Sequence, residues 1–471
     1  MQPSLPEIDF AGITDTQLAE QMSQVLNFVE WQAQQIAKLT QALEAAQQEI
    51  ARLKGQPKKP QFTSSKKPSI SVTAFLQDKT EKKKWQKKGK DVPIDQDVDV
   101  AEQEVCSCGS RKFVSVRTTT KVVQGMLMQR NNIAYHGKTK RCIRCGKVYQ
   151  PAFPPETKGL SFDSTLQSLV SYLKFDGRFT HLLLHRFFTG FEVQISYGEI
   201  TKILKRNSKK LTPVLNHLKT EGIKQSRYVQ SDATGAKRRL KSGKIINQHL
   251  NVLGHKFLSI FKITRKYNAE EMNKLLGVQG RKKPLVSDDG SPNNACRCKG
   301  QQLCWVHEIR LHKKLFPYFT GYQALHTQIL LQWRKFYHLA KAYGSDPPNT
   351  ATPEKKVAIE KMFDEITMQI TGYADLDKQL KLSRKKREKL LFFLDHPYLP
   401  IHNNQCEQDV REAVIMRKIS GSTKSPEGDR SIERHLSVIQ TAKKQGLPVF
   451  QTLHGLLTGQ LSPVILTAKS V

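Results

Sequence analysis

Two stretches of the sequence decide the fold: RYVQSDATG at residues 227–235 and PLVSDDG at residues 284–290. Each begins as a short run with the composition of a buried β-strand and then reaches an aspartate, Asp232 in the first and Asp288 in the second. An aspartate that follows an apolar strand stands where it can meet polar groups from neighbouring strands. The sequence therefore predicts a carboxylate site built on two strands.

The segment between the two aspartates supplies the rest of the predicted sheet. LNVLG at 250–254 and KFLSIFKI at 256–263 predict a hairpin that turns at 254–256, and a helix is expected at about 268–277. Three antiparallel strands, a helix and a fourth strand are the opening of a ribonuclease-H-like fold. We therefore assign residues 226–460 to a ribonuclease-H-like catalytic domain within an α+β multidomain chain.

In this topology the first and fourth strands lie side by side, so Asp232 and Asp288 converge although 56 residues (288 minus 232) separate them. Clustered carboxylates repel one another and are tolerated where a cation lies between them. Hard oxygen ligands without sulfur indicate Mg²⁺ or Mn²⁺. Asp289 remains the alternative to Asp288, because strand geometry does not separate adjacent residues.

The third acid of the site is expected on a helix beyond the strands. We choose Glu407 within HNNQCEQDVREAVIMRK at 402–418, because Asn403 and Asn404 mark a helix start and Glu407 falls in its first turn. With the two aspartates it would hold two metal ions about 3.5–4 Å apart, which activate a water or a 3′-hydroxyl and stabilise the leaving oxygen. We interpret the lysine-rich helical stretch at about 307–395 as an insertion in this core.

Residues 14–54 carry a heptad pattern. Apolar residues recur at alternating steps of three and four, with Gln32 as the one polar member: Leu18, Met22, Val25, Val29, Ile36, Leu39, Leu43, Ala46, Ile50 and Leu53. About five heptads without Gly or Pro predict a coiled coil that makes the chain a homo-oligomer, with Gln32 fixing register or strand number. The alternative is a long amphipathic helix packed on the globular part of the same chain.

The chain is strongly basic, with 76 Lys plus Arg against 42 Asp plus Glu and a formal net charge of +34. Such a charge repels itself unless a polyanion offsets it, so nucleic acid is favoured over an anionic membrane or an acidic protein. Residues 55–93, with eleven lysines between Lys58 and Lys90, predict a flexible basic linker that either follows the DNA backbone or is simply solvated. Without a signal peptide or an apolar run of roughly 20 residues, a cytoplasmic, nucleoid-associated protein is expected.

Two close cysteine pairs, each followed by glycine, lie within residues 95–150. They are Cys106 with Cys108, and Cys142 with Cys145. Four thiolates on two tight turns suit tetrahedral Zn²⁺, so we predict a zinc-binding module, and the lysines and arginines around it favour contact with DNA. The alternative is four buried or reactive thiols.

A second set of soft ligands follows Asp288: Cys296, Cys298, Cys304 and His307. Their types and number fit a second tetrahedral zinc site. Alternatively, Cys304 and His307 pack near the active edge, where His307 could donate to the scissile phosphate, and the other two cysteines are incidental.

Residues 160–222 predict a group of helices. Gly190 separates the second helix from a third that starts at Ser196, a good cap residue, and this short turn is typical of a helix-turn-helix. Candidate DNA contacts on the third helix are Lys202, Lys205 and Arg206. The alternative is a helical bundle packed on the catalytic core.

Further basic residues follow Glu407. We include Arg411, Arg417 and Lys418 among the candidate DNA contacts, because they lie on the Glu407 helix or at its end. A Gly/Ser/Lys loop is expected at 420–431, followed by a helix at 432–446.

Four blocks occur in an order that resembles the insertion-sequence-66-type transposases: SDATGAK at 231–237, SDDGSPN at 287–293, CWVHEIR at 304–310 and HNNQCEQDVREAVIMRK at 402–418. That family also carries a heptad N-terminus, a cysteine-pair zinc module and a helical segment ahead of its core, so the resemblance spans nearly the whole chain. The chain departs from the family at Ala233, where a second acid is frequent, and at 406–408, where CEQ replaces the commoner AER.

The resemblance implies a DDE-type transposase with Asp232, Asp288 and Glu407 as metal carboxylates. It implies metal-dependent cleavage and transfer of a mobile element at its terminal inverted repeats, with double-stranded DNA of the element ends and target as partner. It leaves open whether accessory proteins of the same element are required. The alternatives are a nuclease of the same fold that cuts without joining, and a zinc-containing DNA-binding protein with an inactive core.

Overall fold

A computed structural model of the chain describes residues 16–53, 94–99, 104, 107–112, 120, 128–154, 161–344 and 351–467. The basic linker predicted at 55–93 and the zinc ligand predicted at Cys106 lie outside these residues. None of the helices within the described ranges combines the length and the apolar character that a membrane span requires.

Helix α1 (Thr16–Leu53) runs unbroken through the heptad region and packs one face on the chain's own helical insertion. Leu26 joins the hydrophobic core of that insertion, and the buried Glu30 carboxylate accepts the backbone N–H groups of Tyr318 (2.8 Å) and Phe319 (3.0 Å). The predicted seam lies on the other side of the helix, about 160° away at 100° per residue. Its members Val25, Ile36, Leu39 and Leu43 are 59–69% exposed. Docking on the insertion therefore leaves the apolar seam uncovered.

A small antiparallel ribbon, β1 (Lys140–Arg141) with β2 (Val148–Tyr149), precedes a group of helices. These helices are α2 (Ser164–Phe175), α3 (His181–Gly190), α4 (Tyr197–Lys210), α5 (Thr212–His217), a π-helix (Leu218–Gly222) and α6 (Ile223–Gln225). Leu184 and Ile200 from this group belong to the same hydrophobic cluster as Val252 and Phe261 of the sheet. The helices therefore pack against the sheet.

The sheet contains β3 (Val229–Arg239), β4 (Ile245–His255), β5 (Leu258–Thr264), β6 (Pro284–Ser287) and β7 (Gly300–Leu303), in the order β5-β4-β3-β6-β7. The strands β3, β4 and β5 pair antiparallel, whereas β6 is parallel to β3 and β7 is parallel to β6. Helix α7 (Ala269–Arg281) connects β5 to β6 and bends at Gly277, whose φ is 58°. This mixed sheet among many helices agrees with the predicted α+β class.

Three details of the strands differ from the sequence prediction. The hairpin turns at residues 256–257, because His255 still pairs with Leu258. Strand β3 continues to Arg239, well past the end of the stretch that predicted it. Strand β7 was not predicted, because its sequence GQQL has no apolar alternation, yet Gln302 is buried and bonds to the carbonyl of Leu390 at 3.0 Å.

A second group of helices, which we call the helical insertion, follows the last strand of the sheet. After the short α8 (Ser291–Asn294), its helices are α9 (Trp305–Lys313), α10 (Thr320–Tyr343), α11 (Pro353–Thr367), α12 (Ala374–Lys385) and α13 (Arg387–Leu390), with a 3₁₀ turn at Phe392–Leu394. Trp305, Trp333, Phe336 and Phe363 are buried together at its centre. This aromatic core is distinct from the two clusters under the sheet.

The chain then returns to the sheet through α14 (Asn404–Ser420), α15 (Pro426–Lys444), α16 (Val449–Thr458) and a 3₁₀ turn at Pro463–Leu466. The loop predicted at 420–431 was wrong in its second half, since Ser425 caps α15 and Pro426 occupies its first turn.

Helix α15 covers the edge strand β5 with polar side chains spaced one turn apart. Glu433, Ser437 and Thr441 accept the backbone N–H groups of Ile263, Phe261 and Ser259 at 2.9–3.1 Å. An uncovered edge would offer these N–H groups to another strand, so α15 closes this side of the sheet.

Candidate active site

The fold brings the three predicted carboxylates to one region. Asp232 lies within β3, Asp288 follows the last residue of β6, and Glu407 lies in the first turn of α14. Gln230 of β3 pairs in parallel with Val286 of β6, so Asp232 and Asp288, each two residues further on, stand at the same level.

Asp232 carries the electrostatic signature of this convergence. Burial, together with the negative charges of Glu407 and Asp288, raises the pKa of Asp232 to about 7. The backbone N–H of Ala233, which donates to Oδ1 of Asp232 at 2.8 Å, and the cation of Arg310 act in the opposite direction on the pKa. Burial and the two neighbouring carboxylates thus both favour the protonated form of Asp232 when no cation is bound.

The two adjacent aspartates, Asp288 and Asp289, point to different surroundings. Asp288 accepts a bond from the side chain of buried Asn293 at 2.7 Å and interacts with Asp232 and the hydroxyl of Tyr267, whose pKa is raised to about 12 by burial and by these two acids. Asp289 lies 3.4 Å from Nζ of Lys386 in the helical insertion. The structure therefore brings Asp288, and not Asp289, to Asp232.

Gly290 leaves room beside the backbone for the carboxylate of Asp288 and the hydroxyl of Tyr267. A Cβ at Gly290 would lie 3.0 Å from Oδ1 of Asp288 and 3.2 Å from the hydroxyl of Tyr267. Any other residue at this position would press on both groups.

Glu407 has a second set of neighbours. Its Oε1 lies 3.6 Å from Nδ1 of His307, and ligand atoms of Cys304, His307 and Glu407 all lie within 4.8 Å of one another. Oε1 of Glu407 and Nδ1 of His307 are buried without a hydrogen-bond partner among the described residues. Buried polar atoms of this kind are normally satisfied, so the pair is suited to a bound ligand or ion.

Cys304 differs from the other members of this group. It is fully buried, and burial raises the pKa of its thiol to about 12. Without a metal ion, the thiol form of Cys304 is therefore present near neutral pH. With the nitrogen of His307, whose pKa is lowered by burial, and the oxygen of Glu407, it completes a group of three possible ligands.

The second zinc site predicted from Cys296, Cys298, Cys304 and His307 is not assembled. Cys296 donates to the carbonyl of Asn293 (3.1 Å) and Cys298 to that of Gly300 (3.4 Å), and both pack against the apolar cluster beneath the sheet. Within the described residues, Cys304 and His307 group with Glu407 instead. The ligand types and number that favoured this site were misleading, because Cys296 and Cys298 bond to backbone carbonyls on a separate turn.

The second pair of the predicted zinc module lies on the turn of the β1–β2 ribbon. Cys142 and Lys147 close this turn with a 2.8 Å backbone bond, and Gly146 adopts a φ of +70° that favours glycine. Contacts with Cys145 lower the pKa of the Cys142 thiol. Cys108 is exposed on its own turn before Gly109, whose φ is +88°.

The candidate DNA contacts differ in how far neighbouring acids offset their positive charge and in how exposed they are. Arg206 bonds to Glu199 at 3.2 Å, and Lys202 lies 3.4 Å from the same carboxylate, so Glu199 offsets part of their charge. The other four candidates are Lys205, Arg411, Arg417 and Lys418, of which all but Arg417 are exposed.

Three residues near the carboxylates were not predicted as site residues: Tyr267, Asn293 and Arg310. Arg310 follows His307 by three residues, so it shares a helix face with it, and that spacing could have indicated it. Asn293 stands in the block SDDGSPN. No local pattern marks Tyr267, because it reaches the site from the end of β5.

Two comparisons bear on this arrangement. A sequence model of the family described as "Transposase IS66 family" matches residues 159–431, which contain all the carboxylates above. An uncharacterized protein, y4jO of Sinorhizobium fredii, is 37% identical over 171 residues, which are 36% of this chain. The match spans 50% of that protein's length.

Proposed function

Because the chain belongs to the IS66 family of transposases, we propose that it cleaves and joins DNA at the ends of a mobile element, with Asp232, Asp288 and Glu407 as metal ligands. The proposed core is ribonuclease-H-like, in line with the mixed sheet order and the neighbouring parallel strands β3 and β6. The observation that carries the proposal is the convergence of Asp232 and Asp288 at one level of the paired strands β3 and β6, with Glu407 close enough to act on the charge of Asp232.

The residues fit two divalent cations such as Mg²⁺ or Mn²⁺. Three carboxylates supply hard oxygen ligands, and the unpartnered buried oxygen of Glu407 and the burial of Asp232 beside two other acids both favour a cation. When bound, such ions supply Lewis-acid activation of a water or 3′-hydroxyl and stabilise the leaving oxygen of an in-line displacement.

The chain's own residues position and charge-balance this site. Asn293 fixes one oxygen of Asp288, and Tyr267 lines the same side. His307 is neutral near pH 7 because burial lowers its pKa. A neutral ring does not repel a bound cation and can accept a hydrogen bond or bind the ion through nitrogen. Arg310 is the cation that acts on Asp232, and we assign it to a contact with the scissile phosphate.

The other proposed parts serve DNA handling. The partner is double-stranded DNA, which offsets the net charge of +34. The uncovered seam of α1 would join copies of the chain into the oligomer that holds two DNA ends together. Cys106, Cys108, Cys142 and Cys145 would bind zinc, and Cys142 with Cys145 lies on a turn closed by Gly146.

A cleavage assay tests the chemistry. Purified protein, labelled element ends and Mg²⁺ should give 3′-end nicking and strand transfer. D232N, D288N and E407Q should lose both steps, whereas D289N is the matched control and should retain them. Cleavage without joining would favour a nuclease, and intact cleavage by D232N would refute the site.

Zinc is tested separately from catalysis. Elemental analysis of the full chain should find one zinc per chain in the wild type and less than half of that in C142S. C296S is the matched control and should keep its zinc, because Cys296 donates to a backbone carbonyl. Equal zinc loss in both variants would contradict the assignment.

A further inference from the structure

The hairpin between β3 and β4 ends in a segment that the proposed chemistry does not use. Residues 236–246, AKRRLKSGKII, contain five cations and no acid, and we refer to them as the basic arm. Its exposed cations are Lys237, Arg239, Lys241 and Lys244. None of these four forms an ion pair with any residue in the described ranges. The arm thus presents a compact, uncompensated positive surface.

The fifth cation, Arg238, holds the arm in place. It binds the buried carboxylate of Asp429, with Nε at 2.9 Å, and Gln248 donates to the same oxygen at 3.0 Å. Thr423 adds a third brace, because its backbone N–H donates to the carbonyl of Lys237 (3.2 Å) and its carbonyl accepts from Arg239 (2.8 Å). These bonds therefore fix the position of the basic arm that carries the exposed cations.

The same strand connects the arm to the carboxylates. Asp232 and Arg239 are seven positions apart in β3, which at about 3.3 Å per residue is roughly 23 Å. At about 3.4 Å per base pair this corresponds to roughly seven base pairs of duplex. Between the two, Nη1 of Arg417 would lie 3.6 Å from a Cβ at Gly235, so α14 adds a cation along the way.

We propose that the basic arm binds the phosphate backbone of duplex DNA within about one helical turn of the phosphate that is cut. This inference rests on the proposed function for the position of the cut, but the binding itself does not require cleavage. Lysine and arginine contacts to phosphate fix the position of a protein on a duplex without reading its sequence. The arm would thereby set the position of the DNA relative to Asp232.

Salt-dependent binding measures the contacts directly. The probe is a labelled duplex of arbitrary sequence, bound by the full chain without divalent metal across a range of salt concentrations. Each phosphate contact contributes about 0.9 to the slope of log affinity against log salt, so K241Q/K244Q should make the slope less negative by about 2.

A matched variant separates the arm from general charge. K355Q/K361Q also removes two lysines, but from α11, where four acids accompany them: Glu354, Glu360, Asp364 and Glu365. Its slope should equal that of the wild type. Equal slopes for K241Q/K244Q and the wild type, with unchanged thermal unfolding, would overturn the inference.

Different experimental results would refute the proposed function and the proposed role of the basic arm. A chain that binds the duplex with the expected slopes but never cuts element ends would refute the transposase chemistry and support the arm. A chain that cuts and joins normally with K241Q/K244Q, at unchanged affinity, would refute the arm and leave the chemistry intact.

Discussion

The side-chain amide of Asn293 donates to Oδ1 of Asp288 at 2.7 Å, and the next residue, Asn294, donates to Oδ1 of Asp289 at the same distance. Two consecutive asparagines thus hold two consecutive aspartates. Asn293 is buried and Asn294 is exposed. The pair offers an internal comparison between the proposed metal ligand and its neighbour.

N293A should weaken Mg²⁺ binding about 10- to 100-fold, because residues that orient a metal ligand commonly contribute this much. The Mg²⁺ dependence of the cleavage rate, with calorimetric titration beside it, measures the effect. N294A removes the matching bond to Asp289 and should leave the Mg²⁺ dependence unchanged. An equal loss in both variants would mean that Asn293 acts through the fold and not through Asp288.

The contribution of Asp232 to the stability of the metal-free protein, measured as the difference between wild type and D232N, should fall as pH rises from about 4 to about 7. The difference is needed because the buried histidines His255 and His435, whose pKa values are lowered to about 4, act on the total stability in the opposite direction. Asp232 has a pKa of about 7 in the folded chain, against about 3.9 when unfolded, so the folded state keeps a proton that the unfolded state has lost over this range. Above pH 7 the carboxylate is ionised, and a divalent cation can take the place of that proton.

Mg²⁺ should therefore raise the melting temperature more at pH 8 than at pH 6. D232N has no titrating group at this position, so its Mg²⁺-dependent shift should be small at both pH values. Thermal unfolding with and without Mg²⁺ gives the comparison, and a larger shift at pH 6 would contradict the role assigned to Asp232.

The placement of the carboxylates was predictable because local patterns carry it. Asp232 and Asp288 follow short strand-forming runs, so the pairing of their strands brings the two together, and Glu407 follows a recognisable helix start. The choice of Asp288 over Asp289 needed the structure, because the difference lies in which neighbours, Asn293 or Lys386, each side chain meets.

Features that depend on distant contacts could not be predicted. Strand β7 consists largely of glutamine and is held by side-chain bonds to the insertion, which no periodicity signals. The sequence pattern also does not predict which face of α1 docks on the insertion. Asn27, Glu30 and Gln34 make this contact through polar groups, whereas the apolar pattern lies on the other face.

Glu30 should anchor α1 to the insertion. Its carboxylate is 2% exposed and satisfies two backbone N–H groups that precede α10, so E30A leaves both without a partner. We expect a loss of about 1–3 kcal/mol in the docking of α1, measured as faster amide hydrogen exchange over residues 20–34. E44A, at an exposed position of the same helix, should exchange like the wild type. Unchanged exchange in E30A would show that Leu26 and Asn27 suffice.

The exposed apolar seam of α1 is expected to form the contact between copies of the chain. Leu39 and Leu43 are 69% and 59% exposed, so L39D/L43D should leave the fold of a single chain intact. If the seam joins copies of the chain, two charges in each copy would meet across it, and light scattering after size exclusion should show dissociation to monomers. K38D/A42D introduces two aspartates at the same spacing on another side of the helix and should keep the oligomer. A wild-type chain that is monomeric throughout, or an oligomer that survives L39D/L43D, would place the contact between copies elsewhere.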